Sequence, residues 1–177
     1  VGGGGSNAVN TMFEKGIKGV DFIVCNTDAQ ALDVSPVSLK IQLGSTLTAG
    51  QGAGSIPDVG MNAAIENLDD LTTMLGSDTR MVFITAGMGG GTGTGAGPVI
   101  AAACKELDIL TVGIVTVPFK FEGRKRSEQA KVGLTNMRAS VDTLLVIRND
   151  KLRELYGNQS ISEAFRNADQ VLCTAAK

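Results

Sequence analysis

The stretch GMGGGTGTGAG, residues 87–97, has seven glycines in eleven positions. It lies between a strand-like apolar run, Met81 to Thr85, and a helix-like run, Pro98 to Leu107. Because glycine has no Cβ, its backbone can adopt positive φ and approach a ligand closely. A strand that turns through glycines into a helix directs unpaired N–H groups at one point, which suits a phosphate. The stretch therefore predicts a nucleotide site, to which Thr92 and Thr94 add hydroxyl donors.

Apolar runs alternate with helical patterns along the whole chain. Short runs rich in β-branched residues are typical of buried parallel strands, and they occupy 21–25, 81–85, 110–117 and 144–147. Apolar residues at helical spacing occupy 9–17, 61–75, 99–107, 130–141 and 161–172. This alternation predicts an α/β fold with a doubly wound, mostly parallel sheet and helices on both faces.

Composition excludes several classes of protein. The 177 residues fit one domain and contain no histidine, which excludes His-based triads and zinc sites. A net charge of −2 gives no electrostatic reason to expect nucleic acid. No apolar run reaches the roughly 20 residues that a membrane-spanning helix needs, and no signal peptide is expected. The three cysteines, Cys25, Cys104 and Cys173, are predicted to be buried free thiols in a reducing cytosol.

A second glycine-rich stretch, Gly2 to Ala8, precedes a predicted amphipathic helix. Gly3, Gly5 and Ala8 satisfy the G-x-G-x-x-A fingerprint of dinucleotide-binding enzymes, and Asp28 follows about 20 residues later. An NAD(P) oxidoreductase is therefore one alternative, and a flexible glycine tail is another. Two such turns at the carboxyl edge of one sheet favour a clamp around a polyphosphate. Neither contains a Walker lysine, so backbone amides, hydroxyls, helix dipoles and Mg²⁺ would neutralise the phosphates.

Two further segments are ambiguous from the residues alone. Gly50 to Asp58 precedes a helix, and Pro57 and Asp58 suit its first turn at least as well as they suit a ligand. Glu122 and Arg126 are four residues apart on one helical face. They could contact ribose and phosphate, or they could form a simple ion pair; Arg124 and Lys125 are expected to be solvated.

Three residues near the C-terminal end suit a purine. Phe165 and Asp169 share a helical face, which places a ring for stacking beside a carboxylate acceptor. A carboxylate can accept from guanine N1–H and its amino group, whereas adenine offers no such pair of donors. Asn149 could also contact the base, although it is equally a natural N-cap for a helix over 150–156. The pattern favours GTP over ATP.

Several motifs together resemble the FtsZ family of bacterial tubulin-like division GTPases. They are VGGGGSNAVN (1–10), NTDAQAL (26–32), GAGSIPDVG (52–60), GMGGGTGTGAGP (87–98), PFKFEGRKR (118–126) and AFRNADQVL (164–172). Their order and spacing cover essentially the whole chain, and GGGTGTG is far more specific than a lone GxGxxG. One departure is Arg148, which stands where most relatives have proline.

The resemblance implies a set of GTP- or GDP-binding residues. Phosphate contacts fall on Gly3, Gly4, Gly5, Ser6, Asn7, Gly91, Thr92 and Gly93, and Gly90 and Thr94 flank the second group. Ribose and phosphate contacts fall on Glu122 and Arg126, and guanine contacts on Asn149, Phe165 and Asp169. Asp28 would lie near the phosphates and a Mg²⁺ ion that the phosphates hold, without a direct protein ligand set.

The resemblance also implies a larger context. Residues 1–177 would form the GTP-binding domain, ending within the family's central helix, with the first strand and C-terminal domain absent. The full protein is expected to be a cytoplasmic GTPase that polymerises, with GTP at the longitudinal subunit interface. Catalytic acidic residues would come from the next subunit, through a loop beyond Lys177, so this chain would hydrolyse GTP poorly. Division proteins and membrane adaptors would bind regions outside this chain, and neither nucleic-acid binding nor membrane insertion is expected. The remaining alternative to a polymerising GTPase is a structural, tubulin-like protein that does not hydrolyse GTP.

Overall fold

The computed structural model describes residues 1–157 and 160–176. Its helices and strands, in chain order, are α1 (Gly2–Glu14), β1 (Ile23–Asn26), α2 (Ala29–Asp33), β2 (Leu39–Gln42), α3 (Ser45–Thr48), α4 (Pro57–Glu66), α5 (Leu68–Leu75), β3 (Met81–Gly87), α6 (Thr92–Glu106), β4 (Leu110–Val117), a 3₁₀ turn (Lys120–Glu122), α7 (Arg124–Ser140), β5 (Thr143–Arg148), α8 (Asn149–Tyr156) and α9 (Ile161–Ala175). No helix within the described ranges is long and apolar enough to cross a membrane.

All described strands pair in parallel, as predicted, but they form two sheets. β1 pairs with β2, while β3, β4 and β5 lie side by side in that order. The sequence pattern missed β2, because only Ile41 of its four residues is buried and the strand lacks a continuous apolar run. Apolar periodicity identifies strands one at a time and says nothing about which edges pair, so the division into two sheets was not predictable.

Helices cover both faces of the three-stranded sheet, which confirms the predicted layers. The neighbouring β4 residues Ile114 and Val115 belong to different apolar clusters, because side chains alternate across a strand. Val115 packs in the cluster that includes Cys104 of α6 and Met137 of α7. Ile114 packs in the cluster that includes α1 and α9 residues. All three cysteines are buried and free, as predicted.

The helices beside the glycine stretches begin earlier than predicted. α1 already starts at Gly2, and α6 starts at Thr92, which leaves Pro98 inside the helix. Several glycines of these helices pack closely against backbone of other elements. A Cβ on Gly5 would lie 2.3 Å from the Thr85 carbonyl oxygen, and one on Gly95 only 1.9 Å from the Pro57 carbonyl oxygen. Close approach to other backbone therefore explains more of these glycines than the sequence suggested.

The predicted helix over 61–75 is in fact two helices, α4 and α5, separated at Asn67. The buried residues of α4 are Gly60, Ala63 and Ala64, whereas Met61 and Ile65 are exposed. The predicted core face of α4 was therefore wrong. A Cβ on Gly60 would lie 2.5 Å from the Gly91 carbonyl oxygen. α4 must therefore present its smallest residues to the loop between β3 and α6, residues 88–91, which we call the glycine loop. Pro57 and Asp58 occupy the first turn of α4, as predicted.

Candidate nucleotide-binding site

The predicted site residues gather where the strands end. Because the strands of each sheet are parallel, their carboxyl ends meet at one edge, where loops carry functional residues. β3 is followed by Met88 to Gly91, β4 by the 3₁₀ turn, and β5 by α8. The Thr27 and Thr92 hydroxyl oxygens lie 2.7 Å apart and join the loop after β1 to the start of α6.

The N-terminal ends of α1 and α6 converge beside the end of β3. A Cβ on Gly2 would lie 2.9 Å from the Gly93 backbone nitrogen, and one on Gly4 would lie 3.3 Å from the Gly87 Cα. Two helix N-termini therefore direct free N–H groups and positive dipole ends into one region. The two-turn clamp that the sequence suggested stays a prediction; its elements are the first turn of α1 and, beside it, the glycine loop Met88 to Gly91 with the first turn of α6.

Within this clamp, some glycines face protein and others face open space. Apart from its chain neighbours and the adjacent helix backbone, no heavy atom of the described residues lies within 4 Å of the Cβ position of Gly3 or of Gly90. By contrast, a Cβ on Gly91 or Gly93 would come within 3.0 Å of neighbouring protein atoms. Open space beside Gly3 and Gly90 lets a ligand approach the backbone there, whereas Gly91 and Gly93 owe their identity to protein packing.

Ser6 and Asn7 complete the α1 part of the predicted site. Ser6 is buried, and its hydroxyl oxygen has no hydrogen-bond partner within the described structure. Asn7 is exposed on the same turn as Gly3 and Gly4, which are also exposed. A buried hydroxyl without a partner normally costs free energy, so the Ser6 side chain is a good candidate to meet a ligand.

The two predicted threonines have different environments. Thr92 contacts Thr27 and is partly buried, at the first position of α6. Thr94 is buried, and its hydroxyl oxygen accepts a 2.8 Å hydrogen bond from the Gly89 backbone N–H. Thr94 therefore supports the glycine loop from within, whereas Thr92 lies at its rim.

Asp28 is held at the start of α2. Its Oδ1 accepts from the Ala31 backbone N–H at 3.1 Å, so this carboxylate serves as the N-cap of α2. The residue before it, Thr27, is buried and reaches Thr92, and the sequence analysis did not identify it. A threonine directly after a predicted strand was the available signal, but spacing alone could not show which helix its hydroxyl would meet.

Glu122 and Arg126 form the ion pair that the sequence left as one alternative. Arg126 Nη1 lies 2.8 Å from Glu122 Oε2, and the Glu122 side chain is only 11% exposed. Glu122 Oε1 also accepts from the Phe119 backbone N–H at 2.8 Å. The pair adjoins the glycine loop, because a Cβ on Gly89 would lie 2.8 Å from the Arg126 carbonyl oxygen. Arg124 is largely exposed, as predicted.

An aromatic group connects this segment to α9. Phe119 is fully buried, stacks on Phe121 with ring centroids 4.8 Å apart, and meets Phe165 edge to face at 5.3 Å. Phe165 keeps 40% of its surface exposed, so part of its ring remains available for stacking. Phe119 was not singled out from the sequence, because a phenylalanine after a strand is usually a core residue.

Polar groups of the predicted base site lie on α8 and α9. Burial raises the pKa of Asp169, one turn after Phe165, to about 6 from its ordinary value of 3.8. Asn149 is buried, and its Oδ1 has no hydrogen-bond partner within the described structure. Asn149 is the first residue of α8, so the predicted N-cap position was one residue off.

The fold and this edge define a class: an α/β domain in which two glycine-rich helix N-termini converge at the carboxyl end of a parallel sheet, without a Walker lysine. Comparisons with known proteins specify the family. Residues 1–157 match the Tubulin/FtsZ family, GTPase domain. The chain therefore belongs to the tubulin/FtsZ family.

Individual relatives agree with this assignment. The chain is 54% identical to the cell division protein FtsZ of Bartonella bacilliformis, over 97% of this chain and 29% of the relative. It is 51% identical to FtsZ of Aquifex aeolicus, over 100% of this chain and 48% of the relative. A solved FtsZ dimer from M. jannaschii superposes with a TM-score of 0.95 at 43% identity, covering 99% of this chain and 51% of that chain. This chain thus spans about half or less of these relatives.

Proposed function

We propose that this chain binds GTP and GDP at the edge described above, as the nucleotide-binding part of a self-assembling cell-division GTPase. The observation that carries the proposal is a pair of buried side-chain oxygens, Ser6 Oγ and Asn149 Oδ1, that have no hydrogen-bond partner among residues 1–157 and 160–176. Buried polar atoms are nearly always hydrogen-bonded, and unpaired ones mark places where a ligand or ordered water belongs. Membership of the tubulin/FtsZ GTPase family supports guanine nucleotide as that ligand.

The proposed pose runs from the base at α9 to the phosphates at α6. Phe165 stacks on guanine, Asp169 accepts from N1–H and the amino group, and Asn149 adds an amide to the base edge. Arg126 and Glu122 meet the ribose and the first phosphate. The phosphates lie between the α1 residues 3–7 and residues 90–94, which comprise the end of the glycine loop and the first turn of α6, where helix N-termini favour negative charge.

Mg²⁺ is proposed to bind through the phosphates. Within the described ranges, no group of three or more His, Cys, Asp or Glu residues could hold a metal ion by itself. Asp28 follows Thr27, which contacts Thr92, and would act through water on a phosphate-bound ion. When bound, Mg²⁺ would neutralise part of the phosphate charge, which the clamp otherwise balances with amides and helix dipoles.

Hydrolysis is proposed to need a second subunit. The three carboxylates of the predicted site have other roles: Asp28 caps α2, Glu122 pairs with Arg126, and Asp169 is assigned to the base. We therefore assign the water-activating carboxylates to a neighbouring copy, at a longitudinal interface over the nucleotide. Partners beyond this self-association are proposed to be division proteins and membrane adaptors that bind other regions of a longer protein in the bacterial cytoplasm.

Calorimetric titration with GTP, GDP, ATP and NAD tests the proposal directly. We expect GTP and GDP to bind, with ATP at least tenfold weaker and NAD unable to displace either guanine nucleotide. Ser6→Ala and Asn149→Ala should each weaken GTP binding. Lys131→Ala, an exposed change on α7, is the matched control and should bind like the parent.

A separate measurement addresses hydrolysis. Phosphate release by this chain alone should be slow at low concentration. Rapid release under those conditions would contradict the shared-site proposal without affecting the binding proposal. Displacement of GTP by NAD would instead favour the dinucleotide-enzyme alternative.

A further inference from the structure

Among the described residues not yet discussed, one partly buried side chain, that of Gln129, has a buried polar atom without a hydrogen bond. Gln129, on α7, donates from Nε2 to the Ser55 carbonyl oxygen at 3.0 Å. Its other amide atom, Oε1, is buried and has no partner within the described structure. The amide therefore fastens α7 to the loop before α4 while one of its own polar atoms stays unsatisfied.

The loop that Gln129 holds, residues 49–56, has an unusual backbone. Ala49 and Ser55 both adopt positive φ, at 48° and 61°, although neither is glycine. The first half of the loop is fixed by two backbone hydrogen bonds, from the Ala29 N–H to the Gly50 carbonyl and from the Gly52 N–H to the Thr27 carbonyl. For the second half, Gln129 is the only side chain from another element that donates to it within the described ranges.

The second half of this loop forms one wall of the glycine clamp. A Cβ on Gly91 would lie 2.8 Å from the Ala53 Cβ and 2.9 Å from the Ile56 backbone nitrogen. The first half contacts Thr27 and Asp28, which adjoin Thr92. In the proposed pose, the phosphates lie along residues 90–94, so a wall that adjoins Gly91 lies beside the phosphates.

We propose that Gln129 is a positioning residue that holds residues 53–56 against the terminal phosphate of a bound triphosphate. This inference rests on the proposed nucleotide function. The unsatisfied Oε1 opposes the closed position of the loop, while the Nε2 hydrogen bond favours it. Because these two effects oppose each other, residues 53–56 can move toward the phosphates or away from them. A terminal phosphate beside Gly91 would favour the position near the phosphates. Gln129 would thereby favour GTP over GDP without touching either nucleotide.

The test compares Gln129→Met with the parent in the intact protein. Methionine has nearly the same length but lacks both amide atoms, so the unpaired acceptor disappears together with the donor, and folding should be little affected. We expect GTP affinity to fall about five- to tenfold, as for loss of one positioning hydrogen bond, with GDP affinity changed less than twofold. Gln129→Glu should lower GTP affinity further, because a carboxylate would face the Ser55 carbonyl oxygen.

Hydrogen exchange of residues 50–56 provides a second reading that needs no nucleotide. In the ligand-free protein, Gln129→Met should speed exchange of these amides, whereas Lys131→Met on the same helix should not. Equal losses of GTP and GDP affinity, or unchanged exchange and unchanged affinities, would overturn the inference. If the parent binds no guanine nucleotide, the proposed function fails and the triphosphate role fails with it. Faster exchange in that case would still identify Gln129 as the residue that holds the loop.

Discussion

The hydroxyl oxygens of Thr27 and Thr92 lie 2.7 Å apart, across 65 residues of sequence. This contact joins the two-stranded sheet to the first turn of α6, which belongs to the other half of the fold. Because Thr92 is also a proposed phosphate contact, the same hydroxyl group would serve both folding and ligand binding. The end of β1 therefore lies beside the proposed nucleotide site.

Replacing Thr27 by valine should therefore reduce stability. The change preserves the shape of the side chain but leaves the Thr92 hydroxyl without its partner, which should lower the free energy of unfolding by about 1–2 kcal/mol. Urea denaturation would measure it. The double variant Thr27→Val/Thr92→Val should lose less than the sum of the two single changes, and strictly additive losses would contradict the contact.

Two glycines in one motif should respond oppositely to alanine. Gly5→Ala places a Cβ 2.3 Å from the Thr85 carbonyl oxygen and should lower the free energy of unfolding by about 3 kcal/mol. Gly3→Ala enters open space and should leave thermal stability unchanged or slightly raised. Calorimetric titration should nevertheless show weaker GTP binding for Gly3→Ala. Similar thermal stabilities for both variants would refute the packing assignment.

Guanine recognition should depend on pH through Asp169. Burial raises the pKa of Asp169 to about 6, so the carboxylate that we propose as the guanine acceptor becomes protonated as the pH falls below that value. GTP affinity should therefore decline between pH 7 and pH 5. Asp169→Asn should bind GTP weakly with a flat profile over this range. An unchanged slope in the variant would assign the pH dependence to another group.

The same carboxylate should affect stability with a defined sign. A raised folded-state pKa means that Asp169 favours the folded protein most when it is protonated, below its ordinary value of 3.8. That contribution is lost as the pH rises through about 6. Asp169→Asn should thus be more stable than the parent at pH 8, by about 1 kcal/mol after allowance for partial exposure, and the difference should vanish near pH 4. Thermal unfolding at several pH values would measure it.

Asn149 offers a case in which binding and stability separate. Its Oδ1 is buried without a partner, so truncation to alanine removes an unpaired acceptor and should change the melting temperature little. GTP affinity should fall by about tenfold, as expected for loss of one well-placed hydrogen bond to a ligand. Ser160→Ala provides a contrast, because Ser160 caps α9 and its loss should lower stability while leaving the base contacts in place.

Sequence reasoning worked best where the local pattern reports burial directly. The run Leu110 to Val117 is rich in β-branched residues, and β4 has those bounds. Pro57 in the first turn of α4 was also predictable from local sequence, because the fixed φ of proline suits a helix start. The pattern misled at Met61 and Ile65, whose spacing is typical of a core face although both are exposed. In α4, close approach to the glycine loop leaves room only for small side chains. Small residues therefore occupy the buried face, although larger apolar residues would bury more area.

By itself, the sequence determined the α/β class, the parallel strands, the two glycine-rich turns and the family, because these depend on periodicity and on motifs that are contiguous in the chain. Only the tertiary structure decided which glycines face open space, that Glu122 pairs with Arg126, and that Thr27 meets Thr92. It alone revealed that Gln129 holds Ser55. Spacing places Glu122 and Arg126 on one helical face but could not show that the two side chains pair with each other. The other facts depend on distances between segments far apart in sequence, and such distances are set by packing that spacing along the chain does not encode.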